Sequence, residues 1–251
     1  MIRALALMLL VALPVRAETI VAGLSQNIVS ITTDFSGSEL LIYGAVKRDA
    51  PIPAGKPLEV IITVQGPSRA LTVRRKERRF GIWMNTESVE IGQAPSFYAI
   101  AASAPLQESL SETENLRQKI TIPKAIYSIG IAEDAADAPN FLDALIRLRT
   151  EDGSFSMDER SVGIQQSTLF RTNIALPANL TEGDYKARFF LTRGGAVIDS
   201  QEKTVLVYKE GLERWLYALA HKQPLLYGLL ALVLAVAAGW GASAIFTMLR
   251  R

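Results

Sequence analysis

Near the carboxyl end, from Leu225 to Met248, the chain runs LLYGLLALVLAVAAGWGASAIFTM without a charged residue, and Leu249, Arg250 and Arg251 follow at once. A helix over this run, at ~1.5 Å per residue, covers about 36 Å, enough to cross a hydrocarbon core of about 30 Å with some tilt. Uncharged apolar runs of ~18 residues or more seldom belong to a soluble core. Residues 224–249 therefore read as one transmembrane α-helix, and the rest of the chain must be placed relative to a membrane.

The other end supplies the side. Met1 to Ala17 carries Arg3, an apolar stretch from Ala4 to Leu13, a breaking Pro14 and then Val15-Arg16-Ala17, with small residues where a signal peptidase reads. That stretch is too short to span, so residues 1–17 are expected to be a cleaved signal peptide. The bulk of the chain then lies in the periplasm, with a single pass through the bacterial inner membrane. Residues 250–251 form a cytoplasmic tail, where the positive-inside rule favours Arg250 and Arg251. Lys209, Arg214 and Lys222 flank the span on its other side, so the exported amino terminus carries the orientation.

Composition excludes several classes. With 27 Lys and Arg against 25 Asp and Glu, the net charge of +2 gives no field suited to nucleic acid. Cysteine is absent, which removes disulfides, thiolate metal sites and cysteine nucleophiles together. The one histidine, His221, cannot build a histidine metal cluster and has no fixed acid and nucleophile beside it in sequence. The carboxylates lack calcium-loop spacing, and neither a phosphate-cradling glycine loop nor a Gly-x-Ser-x-Gly elbow is present. The chain is expected to be non-enzymatic, with no metal or cofactor.

The exported part reads as mainly β: two immunoglobulin-like or fibronectin-like β-sandwich modules with short helices. In the first module, residues 18–132, strands are expected at Thr19–Leu24, Ile28–Thr33, Glu39–Val46, Leu58–Val64, Ala70–Val73, Ile82–Asn85 and Phe97–Ala101, separated by turn signals such as Gln65-Gly66-Pro67-Ser68. The spacing suggests an antiparallel sandwich. Ser109-x-x-Glu112 and Ser111-x-x-Glu114 are candidate capping boxes for a helix over about 110–119. An acidic junction and short helix follow over residues 133–153, with Pro139 suited to a first helical turn and Asp152-Gly153 closing the segment. The second module, residues 154–209, has strands at Ser167–Leu176, Tyr185–Thr192, Ala196–Ser200 and Lys203–Tyr208. Its Leu180-x-x-Gly183-Asp184-Tyr185 element resembles a tyrosine corner. Residues 210–223 are expected to form an amphipathic helix on the outer leaflet, with Trp215 and Tyr217 at headgroup level and Pro224 permitting a bend into the span.

Two features are candidate contact sites. Arg74-Arg75-Lys76-Glu77-Arg78-Arg79 is the densest charge in the chain and stands just before Phe80-Gly81-Ile82-Trp83. Alternate side chains of a hairpin share a face, so three of these cations, with Trp83 nearby, can converge on an anion, on lipid phosphates or on a partner. The plainer reading is a solvated charged edge that blunts aggregation. In the span, Ala235, Gly239 and Ser243 recur every four residues, with Gly228 and Ala231 near the same surface. Such a stripe of small residues permits close approach of another helix, from a multi-span protein or from a second copy of this chain.

Three blocks carry a resemblance: HKQPLLYGLL with AAGWGASAIF at the end, AGLSQNIVSITTDFSGSELLIYGAV near the mature start, and RRKERRFGIWMNTESVEI with PSFYAIAASAPL in the middle. Together they resemble the alphaproteobacterial family of single-span transmembrane proteins of unknown function, over essentially the whole mature chain. The resemblance brings no catalytic activity with it. Members tend to be encoded beside predicted sulfite or sulfonate exporters, which implies an accessory role in the envelope. The expected function is a membrane-anchored periplasmic accessory that docks on a transporter or envelope complex, with membrane lipid and a multi-span protein as partners. The alternative is a periplasmic module that binds or senses a small anion and reports through a membrane partner.

Overall fold

The computed structural model describes residues 18–32, 35–49, 51, 55–126, 138–210 and 212–249. The expected signal peptide, residues 133–137 of the acidic junction, and Arg250 and Arg251 lie outside the described residues. The chain divides into two compact units, one holding almost all of the strands and the other the C-terminal helices.

Twelve strands are described: β1 (Glu18–Leu24), β2 (Ile28–Ile31), β3 (Ser38–Arg48), β4 (Leu58–Gln65), β5 (Ser68–Arg79), β6 (Ile82–Pro95), β7 (Tyr98–Ala102), β8 (Phe155–Asp158), β9 (Gly163–Gln165), β10 (Leu169–Leu176), β11 (Gly183–Arg193) and β12 (Ala196–Lys209). They form a four-stranded sheet in the order β1-β3-β10-β9, a six-stranded sheet in the order β2-β12-β11-β4-β7-β8, and a separate ribbon of β5 and β6.

The burial of each strand follows from what covers it. In β10, Phe170, Thr172, Ile174 and Leu176 are buried and the residues between them exposed, the period of two expected when one face is covered. In β4 the run Val60 to Val64 is buried throughout, because the six-stranded sheet is covered on both faces. On one side Phe189 of β11 meets Phe170 of the smaller sheet, with ring centroids 6.5 Å apart. On the other, Ile61, Tyr98, Ile100 and Phe190 join a cluster with Leu106, Ile122 and Leu145 from the helices and Ile120 between two of them.

Those helices are α1 (Leu106–Ser109), α2 (Glu112–Gln118), α3 (Ile122–Ala125) and α4 (Ala138–Glu151). Of the two candidate caps, Ser111 opens α2 by accepting from the Glu114 N–H at 3.4 Å, and Lys119 closes it in a left-handed conformation at φ 52°. Ser109 lies inside α1 instead and donates to the Pro105 carbonyl at 2.9 Å.

The expectation of two separate sandwiches is corrected by the strand pairing. Asn173 of β10 faces Leu41 of β3, and Phe190 of β11 faces Ile61 of β4, so both halves of the chain share both main sheets. Either half alone would leave β4 and β11 with an open edge. Helix α4 belongs to a crossover within one sheet. β7 and β8 pair in parallel, Tyr98 against Phe155, and parallel strands cannot be joined by a tight turn, so the chain returns by way of the helices. This pair is also a departure from a wholly antiparallel arrangement.

Polar groups fasten the two sheets. The outward N–H groups of Ile20 and Ala22 on edge strand β1 donate to Asp199 Oδ2 at 2.8 Å and Gln201 Oε1 at 2.9 Å, side chains of β12 that blunt the edge. The expected tyrosine corner has its hydrogen bond: the Tyr185 hydroxyl donates to the Thr181 carbonyl at 2.9 Å while the ring is buried against Phe97.

The second unit carries α5 (Leu212–Lys222) and α6 (Pro224–Leu249). Gln223 alone separates them: its N–H reaches the Leu219 carbonyl at 3.0 Å and its carbonyl accepts from Tyr227 at 3.1 Å. Pro224 begins α6, where its missing N–H costs nothing.

Candidate functional site

The charged segment lies on a hairpin. β5 and β6 pair from Ser68↔Pro95 to Arg79↔Ile82 around a two-residue turn, Phe80-Gly81, with both φ angles positive at 51° and 83°. That is the pattern of a type I′ turn, whose twist matches the strands it joins. At the base, Ile91 is buried in the core cluster and Leu71 and Val73 pack against it. Towards the tip the ribbon has no neighbouring strand, and Phe80, Ile82, Trp83 and Met84 are exposed.

A register shift after Arg75 decides which side chains stand together. Arg75 faces Glu87, but Lys76 faces Asn85, so β6 carries one extra residue, Thr86. Such a bulge reverses the in-out parity of everything beyond it on β6. Cross-strand partners share a face, so Trp83 and Asn85 join Arg74, Lys76 and Arg78, while Ile82 and Met84 join Arg75, Glu77 and Arg79.

The two faces differ in how their cations are held. Arg75 lies 2.8 Å from the Glu87 carboxylate, with its guanidinium 4.9 Å over the Phe141 ring. Arg79 lies 3.3 Å from Glu77. On the opposite face Arg78 donates to the Gly81 carbonyl at 3.4 Å, and among the described residues none of Arg74, Lys76 and Arg78 enters an ion pair. At ~3.3 Å rise per residue, the three extend over about 13 Å, a row longer than one small anion and comparable to neighbouring phosphates. Of the expected contact residues, Arg74, Lys76, Arg78 and Trp83 are brought together, whereas Arg75 and Arg79 are turned away and engaged.

Charged groups elsewhere in the β unit are fasteners. Glu18, only 5% exposed, is held by Arg48 at 2.7 Å and by Arg193 at 2.8 Å. Burial alone would raise its pKa, but hydrogen bonds and charge from Arg193 and Arg48 outweigh that and hold it below the ordinary value. Arg188 donates to the Gln118 carbonyl at 2.8 Å and the Lys119 carbonyl at 3.2 Å, the end of α2 where a cation is favoured. It also donates to the Tyr98 hydroxyl at 3.1 Å.

The other expected residues are placed singly. Gly228, Ala231, Ala235 and Gly239 lie exposed on α6, with open space beside both glycines, and Ser243 belongs to the same helix. Tyr217 is exposed on α5, stacked on His221 with centroids 4.0 Å apart, and Trp215 lies on the same helix. Among the described residues no three His, Cys, Asp or Glu side chains gather as a metal set.

One surface was not anticipated. The outer face of the smaller sheet has a shallow cavity of about 410 Å³, lined by Val21, Tyr43, Ala45, Leu169 and Arg171 among others. The signal for it is in Glu39–Val46, which is apolar at both parities, so that Leu41 and Tyr43 are left outside when Leu40 and Ile42 turn in.

These features define a class first: a mainly β protein with a helix long and apolar enough over Pro224–Ala242 to cross a membrane. The chain belongs to the family described as "Putative transmembrane protein (Alph_Pro_TM)", whose profile matches residues 19–248. No curated protein matches it. Among solved structures it is similar to Spo0M, the sporulation control protein from Bacillus subtilis, at 12% identity and a TM-score of 0.27. That match covers 81% of this chain and 54% of the other, so the chain spans about half the length of Spo0M.

Proposed function

We propose that this is a non-enzymatic accessory protein anchored in the bacterial inner membrane, with its β unit in the periplasm and its C-terminus in the cytoplasm. The β unit docks on a transporter or envelope complex. The observation that carries this reading is that one chain combines a helix apolar enough to span with a hairpin whose unpaired cations and Trp83 stand clear of the sandwich. A catalytic site needs reactive groups converging in a cleft. Here Glu18, Arg48 and Arg193 hold one another, and Arg74, Lys76 and Arg78 stand on an exposed hairpin. The tyrosine corner at Tyr185 supports an immunoglobulin-like or fibronectin-like relationship for the sandwich, a class that hosts many binding functions. The small-residue face of α6 gives the anchor a surface for a partner helix or a second copy.

A second reading, binding or sensing of a small anion, is supported by Arg74, Lys76 and Arg78 standing without ion-pair partners among the described residues. Copurification from mild detergent followed by mass spectrometry separates the two. A multi-span membrane protein is expected with the wild-type chain, and several-fold less of it with the Arg74→Ser, Lys76→Ser, Arg78→Ser triple variant. Recovery of the chain alone, together with calorimetric binding of sulfite or sulfate, would favour the second reading. Recovery of the chain alone, with no binding of sulfite or sulfate, would overturn both.

A further inference from the structure

We infer that the hairpin tip is a lipid-contact element: Phe80, Ile82, Trp83 and Met84 enter the surface of an anionic bilayer while Arg74, Lys76 and Arg78 hold its phosphates. This names a partner for the hairpin and rests on the reading that the β unit is tethered beside a bilayer.

The first support is the apolar cluster itself. Four large apolar side chains are exposed at the end of one ribbon, Phe80 completely so, and they are rimmed by cations. Exposed apolar groups in a polar rim mark an interaction site, and aromatic and aliphatic side chains beside Arg and Lys are the composition that lies in a bilayer interface.

The second support is backbone strain without compensation. Phe80 has φ 51°, a left-handed conformation that disfavours a bulky side chain and that in a type I′ turn normally falls to Asn, Asp or Gly. Burial would offset that cost, but the ring is fully exposed. Contact of the ring with a surface outside the molecule would supply that offset.

The third support is the match of charge and shape. The three cations form a row along one face of the strand, the face that also carries Trp83. A fluid bilayer closes around an exposed two-stranded tip of this kind. Each cation near an anionic surface adds attraction, and tethering by a membrane helix raises the local lipid concentration so that a weak insertion element is enough.

The test exploits the absence of cysteine. Full-length chain carrying Met84→Cys, labelled with an environment-sensitive fluorophore, is reconstituted in phosphatidylcholine vesicles with or without phosphatidylglycerol. The emission is expected to shift to the blue, and nitroxide lipids to quench it, in the anionic vesicles. Phe80→Asn in the same background should abolish the quenching while leaving the unfolding temperature unchanged or raised, because Asn suits the left-handed turn. Replacing all three cations by Ser should lower the inserted population roughly 100-fold. Emission typical of water in both vesicle types, or identical behaviour of labelled Met84→Cys with and without Phe80→Asn, would overturn the inference. Resistance of the chain to carbonate extraction is scored separately: a retained chain with its label in water overturns the lipid contact alone, while a released chain overturns the tether and the inference with it.

Discussion

Arginine has two fates in this molecule, and the contrast between the sandwich and the hairpin shows what sets them. In the sandwich, Arg48 and Arg193 close on the buried carboxylate of Glu18, and Arg188 closes on the carbonyl end of α2. Each guanidinium there serves the fold. On the outer face of the hairpin, Arg74 and Arg78 share their surface with Lys76 and Trp83, and no acid among the described residues answers them. Charge satisfied internally is less available to anything else, and the contact proposed above falls on the hairpin cations that no ion pair engages among the described residues.

The largest effect that would sharpen this comparison lies in the core. Phe189 is buried at the junction of the two sheets, so Phe189→Ala should cost about 3–5 kcal/mol of unfolding free energy, read by urea denaturation. Next comes the fastener. Glu18→Gln leaves two half-buried guanidinium groups without their counter-charge and should cost about 3 kcal/mol. Because the folded carboxyl lies below its ordinary value of 4.5, the stability it contributes is complete above that value and is lost as pH falls through the folded value. Wild type should therefore lose stability on acidification through that window more steeply than Glu18→Gln, as followed by thermal melts. The smallest effect belongs to the hairpin: the triple Ser variant should change stability by no more than about 0.5 kcal/mol while partner or lipid contact is lost. A loss of several kcal/mol in that variant would break the comparison, because the three cations would then be structural.

How much of this was legible in the sequence depends on whether the cause was local. Runs rich in β-branched residues such as Leu58–Val64 mark strands wherever they pair, and β4 falls there. The expected strands stop at Val73 and Asn85, whereas β5 and β6 run on to Arg79 and Pro95, because a strand of Arg, Lys and Glu has no apolar period to mark its length. Its regularity comes from cross-strand pairing and the Phe80-Gly81 turn rather than from burial. β8 and β9 had no signal at all: Phe155–Asp158 buries only Phe155, and Gly163–Gln165 buries none of its three residues. The sharing of sheets between the two halves is a property of distant partners, such as Asn173 and Leu41, and leaves no local trace. At the site, the alternation of Arg74, Lys76 and Arg78 could be read directly. That Trp83 stands with them could not, because the extra residue at Thr86 reverses the parity of β6.

The contact surface matters only if the β unit is on the far side of the membrane from the cytoplasm, and a reporter fusion tests that most directly. Alkaline phosphatase joined after Tyr208 should be active in intact cells, and a fluorescent protein joined at the same position and dependent on cytosolic folding should stay dark. An inactive phosphatase with a bright fluorescent fusion would contradict the account, removing at once the docked accessory, the anion reading and the lipid-contacting hairpin.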